Sequence, residues 1–127
     1  MPIVKQLTVS AANRPGQLAR ICETLAAKKI NITGLDASGN NRQIRLLVNK
    51  PVAAQRLLQK AGTNAKVEEV VVVNLSDRPG ALAQAARKLA QRKININYSY
   101  ATVGRGSKRA SIVLGVSNAK KAAKLVK

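Results

Sequence analysis

The sequence predicts an α+β fold built from two tandem βαββαβ units, with antiparallel sheets and helices on one face, the second unit lacking its last strand. Three observations predict it. The chain repeats itself. Its apolar residues switch between a period of two and helical spacing in the same order in each half. Turn residues fall where one period gives way to the other.

The repeat comes first because it fixes the register of everything else. Asn13-Arg14-Pro15-Gly16-Gln17-Leu18-Ala19 aligns with Asp77-Arg78-Pro79-Gly80-Ala81-Leu82-Ala83 at an offset of 64. Over positions 13 to 32, 11 of 20 residues equal their partners, far beyond chance. The offset then grows to 68, where Ile44, Leu46, Val48 and Asn49 match Ile112, Leu114, Val116 and Ser117. The added residues fall around Val103-Gly104-Arg105-Gly106-Ser107, a stretch with the glycines of a hairpin tip.

The elements follow in order. Lys5 to Val9 alternates and runs to a Pro-Gly loop, which reads as a strand. Leu18, Ile21, Cys22 and Leu25 stand at i, i+3, i+4 and i+7, one helical face, with Pro15 in place for the helix start. Leu82, Ala85, Ala86 and Leu89 repeat that face. Ile30 to Ser38 and Gln43 to Val48 read as a strand pair joined by Gly39-Asn40-Asn41. Ala54, Leu57, Leu58 and Ala61 form a second helical face, started at Asn49 and Pro51 and stopped at Gly62.

Fourteen residues, Thr63 to Ser76, must then supply the last strand of one unit and the first of the next. Ala65 to Val73 holds no turn residue, so one continuous strand is expected to serve both, roughly 40 Å long at the rise of an extended chain. The expected units are residues 1-69 and 70-127. Ser117 to Lys127 matches only the start of the first unit's second helix. The second sheet is therefore expected to have an unpaired edge or to borrow a strand. Val70 to Val73 is apolar on both faces, which asks for cover on both; helices can cover one face, and a second sheet, such as one from another chain, could cover the other.

Composition narrows the function. The net charge is +18, from 23 Lys and Arg against 5 acids. Residues 78 to 127 hold 12 cations and no acid. Such a charge attracts nucleic acid and other polyanions without specificity. A solvated surface, a polyanion-binding role and deliberate replacement of surface acids in an engineered or charge-shifted variant all remain open readings. The core must be aliphatic, since two tyrosines are the whole aromatic content. Units of about 60 residues are marginal alone, so mutual support and a homodimer are expected. No run of about 20 apolar residues offers a membrane span, and the start has no signal-peptide pattern. With a single Cys22, these point to a cytoplasmic protein.

Catalysis finds no support. There is no His, and Glu68 and Glu69 are neighbours on a strand, facing opposite ways. Cys22 lies on an apolar stripe, which suits packing. One Cys and scattered acids form no metal-ligand set, and no cofactor is implied. Gly104-Arg105-Gly106-Ser107-Lys108-Arg109 lacks the context and ending of a phosphate-binding P-loop. Tyr98 and Tyr100 share one strand face and suit the filling of a seam between units. RNA-recognition modules of this topology carry aromatics on the first and third strands, and the matching strands here have none.

The order strand, [Asn/Asp]-Arg-Pro-Gly-x-Leu, helix, Ile-Asn-Ile, strand pair, helix closely resembles the ACT domain, twice over nearly the whole chain. The resemblance implies ferredoxin-like units that pair and, in many metabolic enzymes, bind an amino acid between units as an allosteric control. Tandem ACT pairs without a catalytic domain also occur. The expected function is thus a non-catalytic amino-acid-binding regulatory module. The alternative is a cationic scaffold or non-specific nucleic-acid binder with vestigial sites.

The implied ligand residues are Asn13, Arg14, Pro15, Gly16, Gln17 and Leu18 with Asn31 in the first unit. Their counterparts are Asp77, Arg78, Pro79, Gly80, Ala81 and Leu82 with Asn95. A loop at a helix N-terminus offers backbone N–H groups to a carboxylate, and an Asn side chain bonds carboxylate and ammonium alike. By resemblance, Asn31 and Asn95 face the ligand across the interface. The expected picture is open amides beside an asparagine from the following strand. Against it, Asn and Asp are also ordinary N-caps, Pro-Gly an ordinary turn, and Asn31 and Asn95 ordinary strand-start residues. Asp77 in place of Asn13 makes the two sites unequal, favouring an ammonium group and disfavouring a second carboxylate.

Overall fold

The computed structural model describes residues 2–12, 14–38, 43–102 and 109–125. Six strands and four helices occur among them, in the order β1 (Ile3–Ser10), α1 (Gln17–Ala27), β2 (Ile32–Ser38), β3 (Gln43–Val48), α2 (Pro51–Lys60), β4 (Asn64–Ser76), α3 (Ala81–Gln91), β5 (Ile96–Thr102), β6 (Arg109–Val116) and α4 (Ala119–Ala123). Both expected hairpin tips, Gly39-Asn40-Asn41 and Val103 to Ser107, lie outside the described residues.

The chain forms two compact units, Lys5–Glu68, and Met1–Val4 with Glu69–Lys127. In the first, the strands follow β2-β3-β1-β4, with β2/β3 and β3/β1 antiparallel. Ile21 and Leu25 of α1, and Ala54 and Leu58 of α2, bury against Leu7, Val9, Leu46 and Ala65. These strand residues share one face by the two-residue alternation, so both helices cover that face. Each fully buried leucine contributes about 1.5–3 kcal/mol, so Leu7, Leu25, Leu46 and Leu58 dominate this small core. The other face carries a polar chain: Gln6 Nε2 donates to Thr8 Oγ1, and Thr8 donates to the Glu68 carboxylate. Beside it, buried Arg45 pairs with Asp36 directly across the β2–β3 ladder at 3.1 Å.

In the second unit the order is β4-β6-β5, both pairs antiparallel. Val71, Val73, Ala85, Leu89, Ile94, Leu114 and Ala122 form its core. The strand at 64–76 is one uninterrupted element, as its lack of turn residues predicts. It sends Ala65 and Val67 into the first core and Val71, Val73 and Leu75 into the second. The edge that the sequence leaves open is filled from the chain's own first residues. The Val72 N–H donates to the Pro2 carbonyl at 3.0 Å, and Ile3 packs against the second core. Val70 and Val71 point to opposite faces, yet both are fully buried in the single chain, so the second sheet expected over Val70 is not needed to bury it.

The repeated Lys-Ile-Asn-Ile segment has a structural reason. Lys29 and Lys93 both sit at φ 58°, just past the ends of α1 and α3. The Lys29 N–H donates to Ala26 and the Ile30 N–H to Leu25; Lys93 and Ile94 do the same to Ala90 and Leu89. This pair of bonds is the Schellman arrangement, and its apolar contact is present, with Ile30 beside Leu25 in one core and Ile94 with Leu89 in the other. After α2 the same two bonds form, from Gly62 to Gln59 and from Thr63 to Leu58, with a glycine at φ 85° in the left-handed position.

Tyr98 lies directly across the ladder from Gly115 of β6, and a Cβ built on Gly115 would overlap its ring. The ring needs a neighbour without a side chain, and Gly115 is that neighbour.

Candidate functional site

Each leading helix opens from a turn that its four residues dictate. Arg14-Pro15-Gly16-Gln17 closes with the Gln17 N–H on the Arg14 carbonyl at 3.3 Å. Gly16 has φ 87° and ψ −10°. Proline second and a left-handed glycine third define a type II turn. Arg78-Pro79-Gly80-Ala81 repeats it, with Ala81 N–H to Arg78 O at 3.4 Å and Gly80 at φ 89°. Neither helix has a side-chain N-cap.

The first-turn amides can therefore be counted. Arg20 and Gln84 donate to the carbonyls of Gly16 and Gly80, and Gln17 and Ala81 are used by the turns. That leaves the amides of Leu18 and Ala19, and of Leu82 and Ala83, with no backbone acceptor among the described residues. Two adjacent N–H groups at the positive end of a helix dipole suit a carboxylate. Asn13 lies outside the described residues, and Asp77 is exposed.

The two arginines of the loops differ in their use. Arg78 Nη2 donates to Gln84 Oε1 at 3.1 Å and Nη1 to the Pro79 carbonyl at 3.4 Å, which folds the side chain over its own loop. In the first unit an arginine, Arg20, stands where Gln84 stands in the second; it donates to the Ala61 carbonyl at 3.0 Å and ties α1 to the end of α2. Arg14 is exposed.

Leu18 and Leu82, expected on the buried helical stripe, are 36% and 50% exposed. The physical reason is their place in the first turn. Helical side chains lean toward the N-terminus, so a first-turn residue covers the loop rather than the core. Ile21, Leu25, Ala85 and Leu89 carry the burial instead, and Cys22 is half-buried.

Asn31 and Asn95 do not stand beside their own loops. Ser10 and Ser38 both face Gln43, so β1 and β2 run the same way and the loop leaves from the Ser38 end of β2. Asn31 precedes Ile32 at the other end, opposite Val48. Loop and asparagine are separated by the length of α1, 11 residues or about 16 Å. The second unit repeats this: Asn74 and Thr102 both face Ser111 on β6 while Ile96 sits by Val116. The expectation of amides beside an asparagine within one unit is thus overturned by the register.

The asparagines satisfy backbone at the strand entry, one of the expected roles, but their partners Asn49 and Ser117 were missed by the sequence reading. The Asn31 N–H donates to Asn49 Oδ1 at 3.0 Å, and the Asn49 N–H returns a bond to the Asn31 carbonyl at 3.2 Å. Asn95 and Ser117 make the same clamp, at 3.0 and 2.9 Å. The signal was present, since Asn49 and Ser117 align at the repeat offset and are both polar. These clamps use the main chain of Asn31 and Asn95 and leave the exposed Asn31 side chain out of them; the Asn95 side chain donates to Asn97 Oδ1 at 2.7 Å. Among the described residues there is no group of three or more His, Cys, Asp or Glu placed to hold a metal ion, and no helix is long and apolar enough to cross a membrane.

Comparison with known proteins places this arrangement. The family profile described as an ACT domain pair matches residues 2–127. A solved protein of Bacteroides thetaiotaomicron is similar at 29% identity and a TM-score of 0.84, over 94% of this chain and 83% of that one. The ligand-free regulatory subunit of aspartate kinase from Thermus thermophilus shares the fold at 18% identity and a TM-score of 0.64, over 98% and 94% of the two chains. Aspartokinase III of E. coli, in complex with lysine and aspartate, matches at 17% identity and a TM-score of 0.56, over 96% of this chain but 30% of that enzyme. No curated protein matches by sequence.

Proposed function

The chain belongs to the ACT domain pair family, and we propose that it is a regulatory module that binds an amino acid at the loops opening α1 and α3, as a homodimer. The observation that carries this reading is the doubled turn. Gly16 and Gly80 adopt the same left-handed conformation and leave the same two amides without a backbone acceptor among the described residues, each beside an exposed leucine. A carboxylate accepts from the amides, and the leucine offers apolar contact to a side chain. Because the asparagine of the same unit is a helix length away, a ligand that touches both kinds of residue needs an asparagine delivered by another unit, which in the proposed homodimer is that of a second copy. Assembly and binding are then parts of one site.

The test is a thermal titration with each of the twenty amino acids. A ligand at a hundred times its Kd adds about 2.7 kcal/mol. For a chain of 127 residues that is a rise of roughly 10 °C. The responding amino acid is expected to act less on Gly80→Val, whose branched side chain disfavours the left-handed turn. Twenty flat responses remove the sensor reading.

A further inference from the structure

We propose that the cleft between the end of α1 and one face of α2 is a binding site for a small organic polyphosphate, distinct from the loops at the other end of α1. The cleft holds about 390 Å³ and is lined by Lys28, Lys50, Arg56 and Lys60 around Ile30 and Leu57. Arg56, Leu57 and Lys60 follow from Ala53 at i+3, i+4 and i+7, so one face of α2 presents them together. All four cations are exposed, while Ile30 is buried and Leu57 half-buried. The site is therefore a cationic rim over an aliphatic floor.

None of the five acids of the chain lines it. The ion pairs found among the described residues, Arg45–Asp36 and Lys66–Glu68, use none of its cations. Four like charges held around one hollow repel one another, and a ligand with several adjacent negative charges relieves that repulsion. Phosphate groups match the lysines as point charges and Arg56 as a bidentate fork. A carbon skeleton on the same ligand would cover Ile30 and Leu57.

The repeat supplies a second, independent observation. The second unit has a cleft of about 380 Å³ lined by Lys88, Gln91, Arg92, Lys124 and Leu125. Arg92 is the repeat partner of Lys28 at the offset of 64, and Lys124 and Leu125 are the partners of Arg56 and Leu57 at the offset of 68. At two of these positions lysine and arginine have exchanged places, so charge is kept where identity is not. The two clefts are not equal. Lys50 becomes Asn118, and Lys121 turns its Nζ onto the Arg92 carbonyl at 2.8 Å. The first cleft is the stronger site.

The experiment is calorimetric titration of the full chain at near-physiological salt with ATP, inorganic tripolyphosphate and a single-stranded DNA oligonucleotide. Each is repeated on Lys28→Ala/Arg56→Ala and on a control of equal charge, Arg87→Ala/Lys120→Ala, whose residues line neither cleft. ATP is expected to saturate, to bind more tightly than tripolyphosphate, and to weaken by about tenfold or more in the cleft variant alone, as loss of charge-assisted bonds requires. Leu57→Ser is expected to remove the advantage of ATP over tripolyphosphate. Equal weakening in the control, or binding of the oligonucleotide alone, reduces the cleft to general surface charge and overturns the proposal. The loops before α1 and α3 are untouched by these variants, so the amino-acid reading stands or falls separately.

Discussion

Three helices of this chain end in the same two hydrogen bonds, but only one uses glycine in the left-handed position, and this sets up a controlled experiment. Lys29 and Lys93 occupy φ 58° where Gly62 occupies φ 85°. A left-handed backbone costs an L-residue roughly 1–2 kcal/mol. Glycine removes that cost but returns about 0.4–1 kcal/mol through the greater freedom of its unfolded chain. Lys29→Gly and Lys93→Gly should therefore each stabilise by about 0.5–1 kcal/mol. The two sites share no hydrogen-bond partner, so the double variant should approach the sum. With about 2.1 cal/mol/K of unfolding entropy per residue over 127 residues, each kcal/mol shifts the midpoint by about 4 °C. The double variant should melt roughly 4–8 °C higher by calorimetry. Gly62→Lys is the reverse control. Nothing lies within 4 Å of a Cβ built there, so its loss reports backbone strain alone and should mirror the gain at Lys29. If Lys29→Gly and Lys93→Gly destabilise, the lysine side chains contribute more than the conformation costs, and the helix-end account is wrong.

Three further outcomes follow from the packing. Gly115→Ala must displace the Tyr98 ring and should cost about 1–3 kcal/mol in urea unfolding, whereas in a Tyr98→Ala background the same change should be neutral or stabilising; an equal cost in both backgrounds would show that the ring is not the obstacle. Ile3→Ala should loosen the edge of the second unit, speeding amide exchange at Val72 while leaving Leu7 and Val9 protected, and uniform protection at Val72 would mean that the Pro2 bond is not what shields it. Asp36→Ala leaves the buried guanidinium of Arg45 without its carboxylate and should cost about 1–3 kcal/mol, more than Arg45→Met, which removes the charge as well; the opposite ranking refutes the pairing argument.

Most of the architecture was legible because it rests on local chemistry stated twice. Pro-Gly before a leucine at helical spacing predicts the turn and helix that Gly16 and Gly80 form. The absence of any turn residue from Ala65 to Val73 predicts one long strand, and β4 is that strand. Long-range satisfaction was less legible. Gln6 sits in an alternating strand, yet it is fully buried, because Glu68, distant in sequence, completes the polar chain that Gln6 and Thr8 begin. The partner for the second unit's open edge was hidden for the same reason: nothing in Pro2 or Ile3 says which strand they will join. Leu18 was misplaced because spacing identifies a helical face but not how far along the helix the core extends.

The distance between loop and asparagine changes what kind of device this fold can be. Had the open amides and Asn31 met within one unit, each unit could bind a ligand alone, and binding would say nothing about assembly. Because α1 holds them at opposite ends, a unit by itself offers only half of the polar set that the proposed ligand needs. On that reading the missing half comes from another copy, so ligand affinity depends on association and association on ligand, by the same factor in each direction. An amino acid at such a site reports its concentration as a change in assembly, and a catalytic partner fused or bound to either unit would feel that change. The coupling needs no movement inside the β-sheet or the cores; it needs only that the two halves of the polar set reside on different molecules.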